Sequence, residues 1–396
     1  MTRARSRPWG PLTRLLGVRV LLDVQFWFPT WMIFLLERGF TPLQAALIDA
    51  IFNGAVVLAE VPMGAVVDRI GRKRALLISC ALTTVVFLGI GVVSSFWLMA
   101  LVWVLWGLLW ALSSGLDSTY SWELAEEHPQ APSPSRYLGR SRLASGVAGV
   151  LSLLSAGFLL EIWAPLPYLL TAVLGLLALL LAATLPDVHG HARLASATTF
   201  TDAMQRPRVR TGILLAAIVL TVGVSIRIQF QPLGTEVGLT PSMIGVVYSI
   251  IAVTVALGGW LATRVPHRGH GMWIVGSIAV MALSYLAVAL GAQHQLTWVT
   301  MLLLIPAGTA AFGVAKTLTD VWLLEAVGSR WRQTVLALAS ATNGLVMIGF
   351  RPFLVQIGDT QGNATAFLIW AAISGVAACG ALFLVRGPGR KVLDAR

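Results

Sequence analysis

The segment Gly64–Arg74, "GAVVDRIGRKR", decides how the rest of the chain is read. An apolar run stops at Asp68, and Arg69, Arg72, Lys73 and Arg74 crowd into the positions that follow. On either side lie apolar windows of about 20 residues, the length a helix needs to cross a hydrocarbon core ~30 Å thick. A charged hairpin between two such windows joins two membrane spans, and the alternation continues from residue 18 to residue 385. Helices must be the spanning element, because the windows far exceed the ~10 residues of a barrel strand and show no period-two pattern. The reading yields an all-α membrane protein with twelve transmembrane helices, at about 18–37, 42–67, 75–94, 97–120, 139–161, 166–185, 211–232, 240–262, 272–291, 296–316, 333–356 and 363–385.

Composition agrees: 57% of the 396 residues are apolar and 11% charged, where a soluble domain is about one quarter charged. A net charge of +11 would suit nucleic acid, but the placement of the cations points elsewhere. Arg3, Arg5, Arg7 and Arg14 precede the first span, the even-numbered connections hold most of the rest, and Arg386, Arg390, Lys391 and Arg396 end the chain. Opposite them only Arg38 is found. This positive-inside asymmetry places both termini in the cytoplasm of a plasma or inner membrane and needs no nucleic-acid partner. The start "MTRARSRPWGPLTR" is basic, but the stretch after it is too long for a signal-peptide core and lacks a cleavage site. Cys80 and Cys379 fall within expected spans and all six histidines in loops or at span ends. Neither a metal site nor a cofactor is expected.

The loop from Pro186 to Arg210 separates six spans from six, giving an N-terminal bundle (1–186), a cytoplasmic linker (187–209) and a C-terminal bundle (210–396). Traces of duplication join them. A shift of 195 lays Gly64 on Gly259, Arg69 on Arg264 and Asp68 on Thr263, and a shift of 200 lays Thr119 on Thr319 and Trp122 on Trp322. Leu143-Ala144-Ser145 returns as Leu338-Ala339-Ser340. Matches in one order at nearly one offset favour two pseudo-symmetric six-helix bundles, a parallel repeat of the kind transporters use for alternating access.

The loop after the second span, with Gly64, Asp68, Arg69 and Gly71 in the order Gly-x₃-Asp-Arg-x-Gly followed by basic residues, resembles the loop motif of the major facilitator superfamily. The resemblance implies a twelve-helix secondary transporter with its substrate cavity between the halves. "EVPMGAVVDRIGRK" and "SSGLDSTYSWEL" look most like bacterial drug or metabolite exporters. In that superfamily the second helix packs beside the eleventh, whose inner end here carries Arg330 and Arg332. Asp68 ends a helix, where a carboxylate opposes the dipole and needs a cation. The expectation is an inner latch from Asp68 to Arg330 or Arg332, with Arg69, Arg72, Lys73 and Arg74 anchoring the loop at anionic lipid. Gly64 would admit a close helix, and Gly71 would allow a turn closed to other residues.

An ionisable group inside a span costs at least ~2.5 kcal/mol, so each one is a functional candidate. Asp23, Asp49, Glu60 and Asp117 lie in the first half, and Arg227, Lys316 (at the end of the tenth span) and Arg351 in the second. Asp49, Asn53 and Glu60 fall on one helical stripe. Glu60 and Asp23 are the leading candidates for proton coupling, since a carboxyl in a dry cavity can hold a proton and release it when water or substrate arrives; Arg19, one turn before Asp23, is placed to neutralise it. Asp49 with Arg351 would close an outer gate, unless Arg351 and Arg227 snorkel to the surface. Trp103, Trp106, Trp110, Ser113 and Asp117 form a stripe, and Trp27 and Trp31 stand near Gln25 with Pro29 as a kink. Such walls suit a planar, amphiphilic or cationic substrate, although tryptophans at span ends also serve as interfacial anchors. Asp117 could equally be tied to Arg140 or Arg142.

Without a Gly-x₄-Gly-Lys-Ser/Thr motif, ATP is not the direct energy source within this chain, and a proton gradient is expected to drive it. The first reading is therefore proton-coupled efflux of a small organic compound by a monomeric antiporter surrounded by membrane lipids. An uptake symporter or facilitator, or a lipid or lysolipid transporter of the same fold, is the alternative. A polytopic membrane enzyme is disfavoured because no water-facing catalytic set is found.

Overall fold

The computed structural model describes residues 10–127, 134–188, 207–266, 269–294, 303–326 and 332–386. Among them are fourteen helices and no strand: α1 (Pro11–Asp23), α2 (Trp31–Glu37), α3 (Pro42–Ile70), α4 (Arg72–Val92), α5 (Phe96–Ser113), α6 (Leu116–Glu127), α7 (Pro134–Ile162), α8 (Leu166–Ala183), α9 (Pro207–Glu236), α10 (Pro241–Ala262), α11 (His270–Gln293), α12 (Ile305–Ala326), α13 (Arg332–Gln361) and α14 (Asn363–Arg386). Proline opens α3, α7, α9 and α10, where its missing amide costs the helix nothing. Gly71 links α3 to α4 at φ +87°, a left-handed conformation that a side chain would oppose.

Ten of the described helical stretches are long and apolar enough to cross a membrane. The expected first span is instead two helices, because Val24–Thr30, with Pro29 near its end, departs from helical geometry altogether and does not simply kink. Residues 295–302, where the expected tenth span begins, lie outside the described residues, and α12 runs on past the expected end at Lys316 to Ala326. Lys316 does not end that helix: it pairs with Asp320 one turn on, and the mutual neutralisation lets the helix continue past charges that stop a hydropathy window.

Contacts divide the chain into two compact units, residues 1–40 with 51–193 and residues 41–50 with 194–396. The division is not the contiguous one expected, since the Pro42 end of α3 groups with the second unit. Of the expected linker, residues 189–206 lie outside the described residues.

In the first unit α4 packs on α8 and α5, and α1 on α8 and α7. In the second, α11 packs on α14 and α12, and α9 on α14 and α13. Counted as spans these are the same pairings, third with sixth and fourth, first with sixth and fifth, so the faint sequence repeat corresponds to a repeated packing scheme. Small residues set the closest approaches. A Cβ on Gly107 of α5 would sit 2.7 Å from the Ala55 Cβ and 2.9 Å from the Phe52 carbonyl. In the second unit Gly258 of α10 and Gly313 of α12 are reciprocal, each admitting a backbone carbonyl of the other helix, from Ala310 and Val255. Large apolar side chains such as Leu58, Trp97, Leu143, Val376 and Phe383 are more than 70% exposed, an outer surface suited to lipid tails and hazardous in water.

Candidate substrate cavity

The break after α1 shapes the first unit's cavity. At Val24 the backbone turns extended, and the Gln25 amide, no longer in a helix, donates to Ser152 Oγ of α7 at 3.2 Å. The Trp27 ring then meets Trp106 edge-on with centroids 4.5 Å apart. Trp106 in turn contacts Trp103 at 4.8 Å and Phe52 at 4.6 Å, and Trp31 lies 5.3 Å from Trp103. The stripe read along the sequence thus divides by burial. Trp103 and Trp106 are 2% and 6% exposed and belong to an aromatic core, whereas Trp110 is 52% exposed.

Beside this core opens a cavity of about 350 Å³, within the size range of small-molecule sites. Trp27, Phe87, Trp106 and Trp110 form its aromatic wall, and Arg19, Asp23, Gln25, Thr83, Ser113, Ser114 and Thr171 its polar one. Arg19 Nε holds Asp23 Oδ2 at 2.7 Å, one helical turn apart. Thr83 and Thr171 donate to carbonyls of their own helices, Ser79 and Pro167, both at 2.8 Å, leaving hydroxyl lone pairs able to accept from a ligand.

The cavity therefore gathers Asp23, Gln25, Trp27, Trp110 and Ser113 from the residues expected to line it. Asp117 lines a smaller adjoining chamber. Its carboxylate accepts from the Tyr137 hydroxyl at 2.5 Å, so its partner on α7 is Tyr137 and not Arg140 or Arg142, whose positions are exposed. Asn53 and Glu60 are half-buried on α3 and line neither space. Among the described residues Glu60 has no ion pair or hydrogen bond from its carboxylate. Arg227 is half-buried on α9, and its carbonyl accepts from the Tyr248 hydroxyl. Sequence reasoning missed Thr83, Phe87 and Thr171 as wall residues, because isolated residues on α4 and α8 carry no spacing that marks them.

In the second unit Asp49 and Arg351 form an ion pair, with side chains 10% and 8% exposed. Arg351 is thus not a snorkelling side chain. It also lines a small space with Ser225, Gln229 and Trp370. Gln229 Nε2 donates to Asn363 Oδ1 at 3.3 Å, and the Asn363 backbone amide donates to Glu236 Oε2 at 3.0 Å, tying the start of α14 to α9.

The Gly64–Arg74 loop holds itself together within the first unit. Asp68 Oδ1 meets Arg72 Nη1 at 2.7 Å, and Arg72 Nε reaches Glu123 Oε1 of α6 at 3.3 Å. One guanidinium thereby joins the end of α3, the start of α4 and α6, the forked geometry for which arginine is suited. Arg69 is exposed, and nothing among the described residues comes within 4 Å of a Cβ placed on Gly64, so no close helix is seen there. Arg330 and the side chain of Arg332 lie outside the described residues, and with them the expected latch. Among the described residues no three His, Cys, Asp or Glu side chains cluster as metal ligands.

The sequence matches the profile of the Major Facilitator Superfamily over residues 20–350. No curated protein sequence matches it. Among solved structures, a point mutant of the nucleoside transporter NupG superposes with a TM-score of 0.78 at 15% identity, covering 95% of this chain and 100% of that one. NupG itself, without a substitution, gives 0.74 at 14% identity, covering 96% and 100%. A bacterial homologue of the human lysosomal transporter Spinster, in an inward-facing and occupied conformation, gives 0.72 at 15% identity, covering 95% and 96%. At such identities the likeness is one of fold. With a family profile spanning most of the chain and transmembrane helices packed in a repeated scheme, the protein belongs to the Major Facilitator Superfamily of integral membrane transporters.

Proposed function

We propose that the protein is a proton-coupled antiporter exporting a small, planar, amphiphilic organic compound by alternating access. In this reading it acts as a monomer in the plasma or inner membrane, with both termini in the cytoplasm. The supporting observation is the cavity that sets four aromatic rings against Arg19, Asp23, Gln25 and four hydroxyl-bearing residues. A ring system would stack on the indoles while the polar wall fixes its orientation. Asp49 with Arg351 would serve as an outer gate, and the Asp68–Arg72–Glu123 set would steady the inner loop.

A second reading, uptake of a nucleoside-like compound, draws on the same cavity, which offers a stacking wall for a base and hydroxyl-bearing side chains for a sugar. It also draws on the likeness to NupG, a nucleoside transporter. One experiment separates the two. In liposomes carrying the purified full chain and an acidic lumen, an antiporter accumulates ethidium, a planar aromatic cation, while the lumen turns alkaline. Movement of radiolabelled uridine in the same direction as protons, with ethidium unmoved, sinks the export reading in favour of uptake. If neither probe responds to the pH gradient, both readings fail for these substrate classes.

A further inference from the structure

Next to the main cavity lies a chamber of about 30 Å³, room for one or two waters. Its polar lining is Arg19, Ser79, Ser113 and Asp117. Arg19 and Ser113 also line the main cavity, so the two spaces share a wall. Ser79 is 1% exposed, and among the described residues its hydroxyl has no hydrogen-bond partner. Asp117 stands in the first turn of α6 with the Tyr137 hydroxyl on its carboxylate. A buried hydroxyl lacking a partner beside a carboxyl group, in a space of this size, is a place built to hold water.

We infer that this chamber is where the coupling proton is bound and released, with Asp117 as its carrier and Arg19 as the residue that transmits its charge to the substrate cavity. The inference rests on the proton-coupled reading above and replaces Glu60 and Asp23 as its leading carriers. Charge counting supports it. Arg19 is ion-paired with Asp23 and also lines the chamber that Asp117 lines. With Asp117 protonated, Arg19 and Asp23 form a neutral pair. When the proton passes to a water held between Ser79 and Asp117, and on past Ser113 to the main cavity, a second carboxylate competes for the guanidinium. Asp23 is then freed toward a cationic or hydrogen-bond-donating group of the substrate.

The surroundings of Asp117 contain little else that titrates. α1 presents Arg19 and Asp23, and α7 presents Tyr137, with Arg140 at an exposed position. α4 contributes Ser79 and, beyond it, buried Cys80, while its Arg72 is engaged with Asp68 and Glu123. α5 contributes Ser113, and α6 itself adds Glu123, two turns on. A sodium ion is a poorer occupant than a protonated carboxyl with water, since the Arg19 guanidinium is part of the wall.

The test needs no substrate. Tryptophan emission of the full chain in lipid nanodiscs is followed between pH 5 and 9, with Trp27, Trp106 and Trp110 reporting the cavity that Arg19 shares. A one-proton transition is expected, equal in sodium and potassium chloride, lost in Asp117→Asn, and moved upward by about one pH unit in Tyr137→Phe, where the carboxylate loses a donor. The Tyr137→Phe arm keeps the test decisive should Asp117→Asn fold poorly. The inference is overturned if the transition survives Asp117→Asn, requires sodium, is unmoved in Tyr137→Phe, or is absent from the wild type. Abolition by Glu60→Gln and not by Asp117→Asn would move the carrier to Glu60, leaving the antiport reading standing. Failure of that reading shows separately, as a wild-type protein with no transport response to a pH gradient.

Discussion

Asp49 on α3 and Arg351 on α13 are ion-paired within the second unit, each side chain about nine-tenths hidden. Removing one partner of such a pair strands a charge, at a typical cost of ~3–5 kcal/mol, while replacing both with neutral groups costs far less. Asp49→Asn and Arg351→Met should each lower the melting temperature of the purified protein sharply, and the double variant should recover much of the loss. Additive losses would show that the two side chains do not depend on each other. If the pair also gates, cysteines at positions 49 and 351 should cross-link in one conformational state and not in the other.

The tryptophans should separate into two classes. Trp103, 2% exposed within the aromatic core, should cost ~3–5 kcal/mol of stability on replacement by alanine. Trp110, half exposed and on the cavity wall, should leave the melting temperature nearly unchanged in Trp110→Ala and reduce affinity for a planar ligand. Thermal denaturation with binding of the transported compound checks both, and equal destabilisation by the two variants would remove Trp110 from the wall.

Glycine replacements at the α10–α12 crossing should be severe. Gly313→Ala or Gly258→Ala drives a methyl into a facing backbone carbonyl, which cannot rotate away as a side chain can, so a loss of ~1–3 kcal/mol or more is expected. Gly276→Ala, with nothing among the described residues within 4 Å of the added carbon, should be neutral or slightly stabilising. Expression yield and melting temperature of the three variants make the comparison.

Arg72→Lys should behave as a loss although it keeps the charge. A single ammonium cannot reproduce contacts made from two different nitrogens, Nη1 to Asp68 and Nε to Glu123. Reduced stability in Arg72→Lys, comparable to Arg72→Gln, is the expected result, and wild-type stability of the lysine variant would show that charge alone suffices.

Much of the fold is legible in the chain because the bilayer imposes one strong rule, that long apolar segments become helices, and charges such as those at Arg69–Arg74 mark where they end. The rule misplaces elements where charge is cancelled locally. Lys316 looks like a terminus until Asp320 is seen beside it, and the first span looks continuous because hydropathy is blind to the non-helical backbone at Val24–Thr30. Arg38, an isolated cation in its loop, becomes intelligible only with coordinates, since its guanidinium donates to the carbonyls of Gly91 and Val92 that end α4. The candidate site is legible only in part. Asp23, Trp27 and Ser113 announce themselves through charge and spacing. Tyr137 as the donor to Asp117, and the hydroxyls of Thr83 and Thr171, depend on which helices become neighbours, and periodicity within one helix carries no such information.

The unwound stretch after Asp23 changes what mutagenesis of this cavity can reveal. Where a helix stops inside a membrane, its final peptide oxygens lose their intrahelical amide donors, and irregular main chain is tolerated at that depth only beside protein or water. In Val24–Thr30 the Gln25 and Trp27 carbonyls are taken by the Phe28 and Thr30 amides, and any other peptide oxygen there that opens on the cavity would be an acceptor no codon change deletes. Alanine scanning across Val24–Thr30 should therefore report weaker recognition than the pocket possesses. Ester-for-amide replacement of the peptide links themselves would expose the remainder.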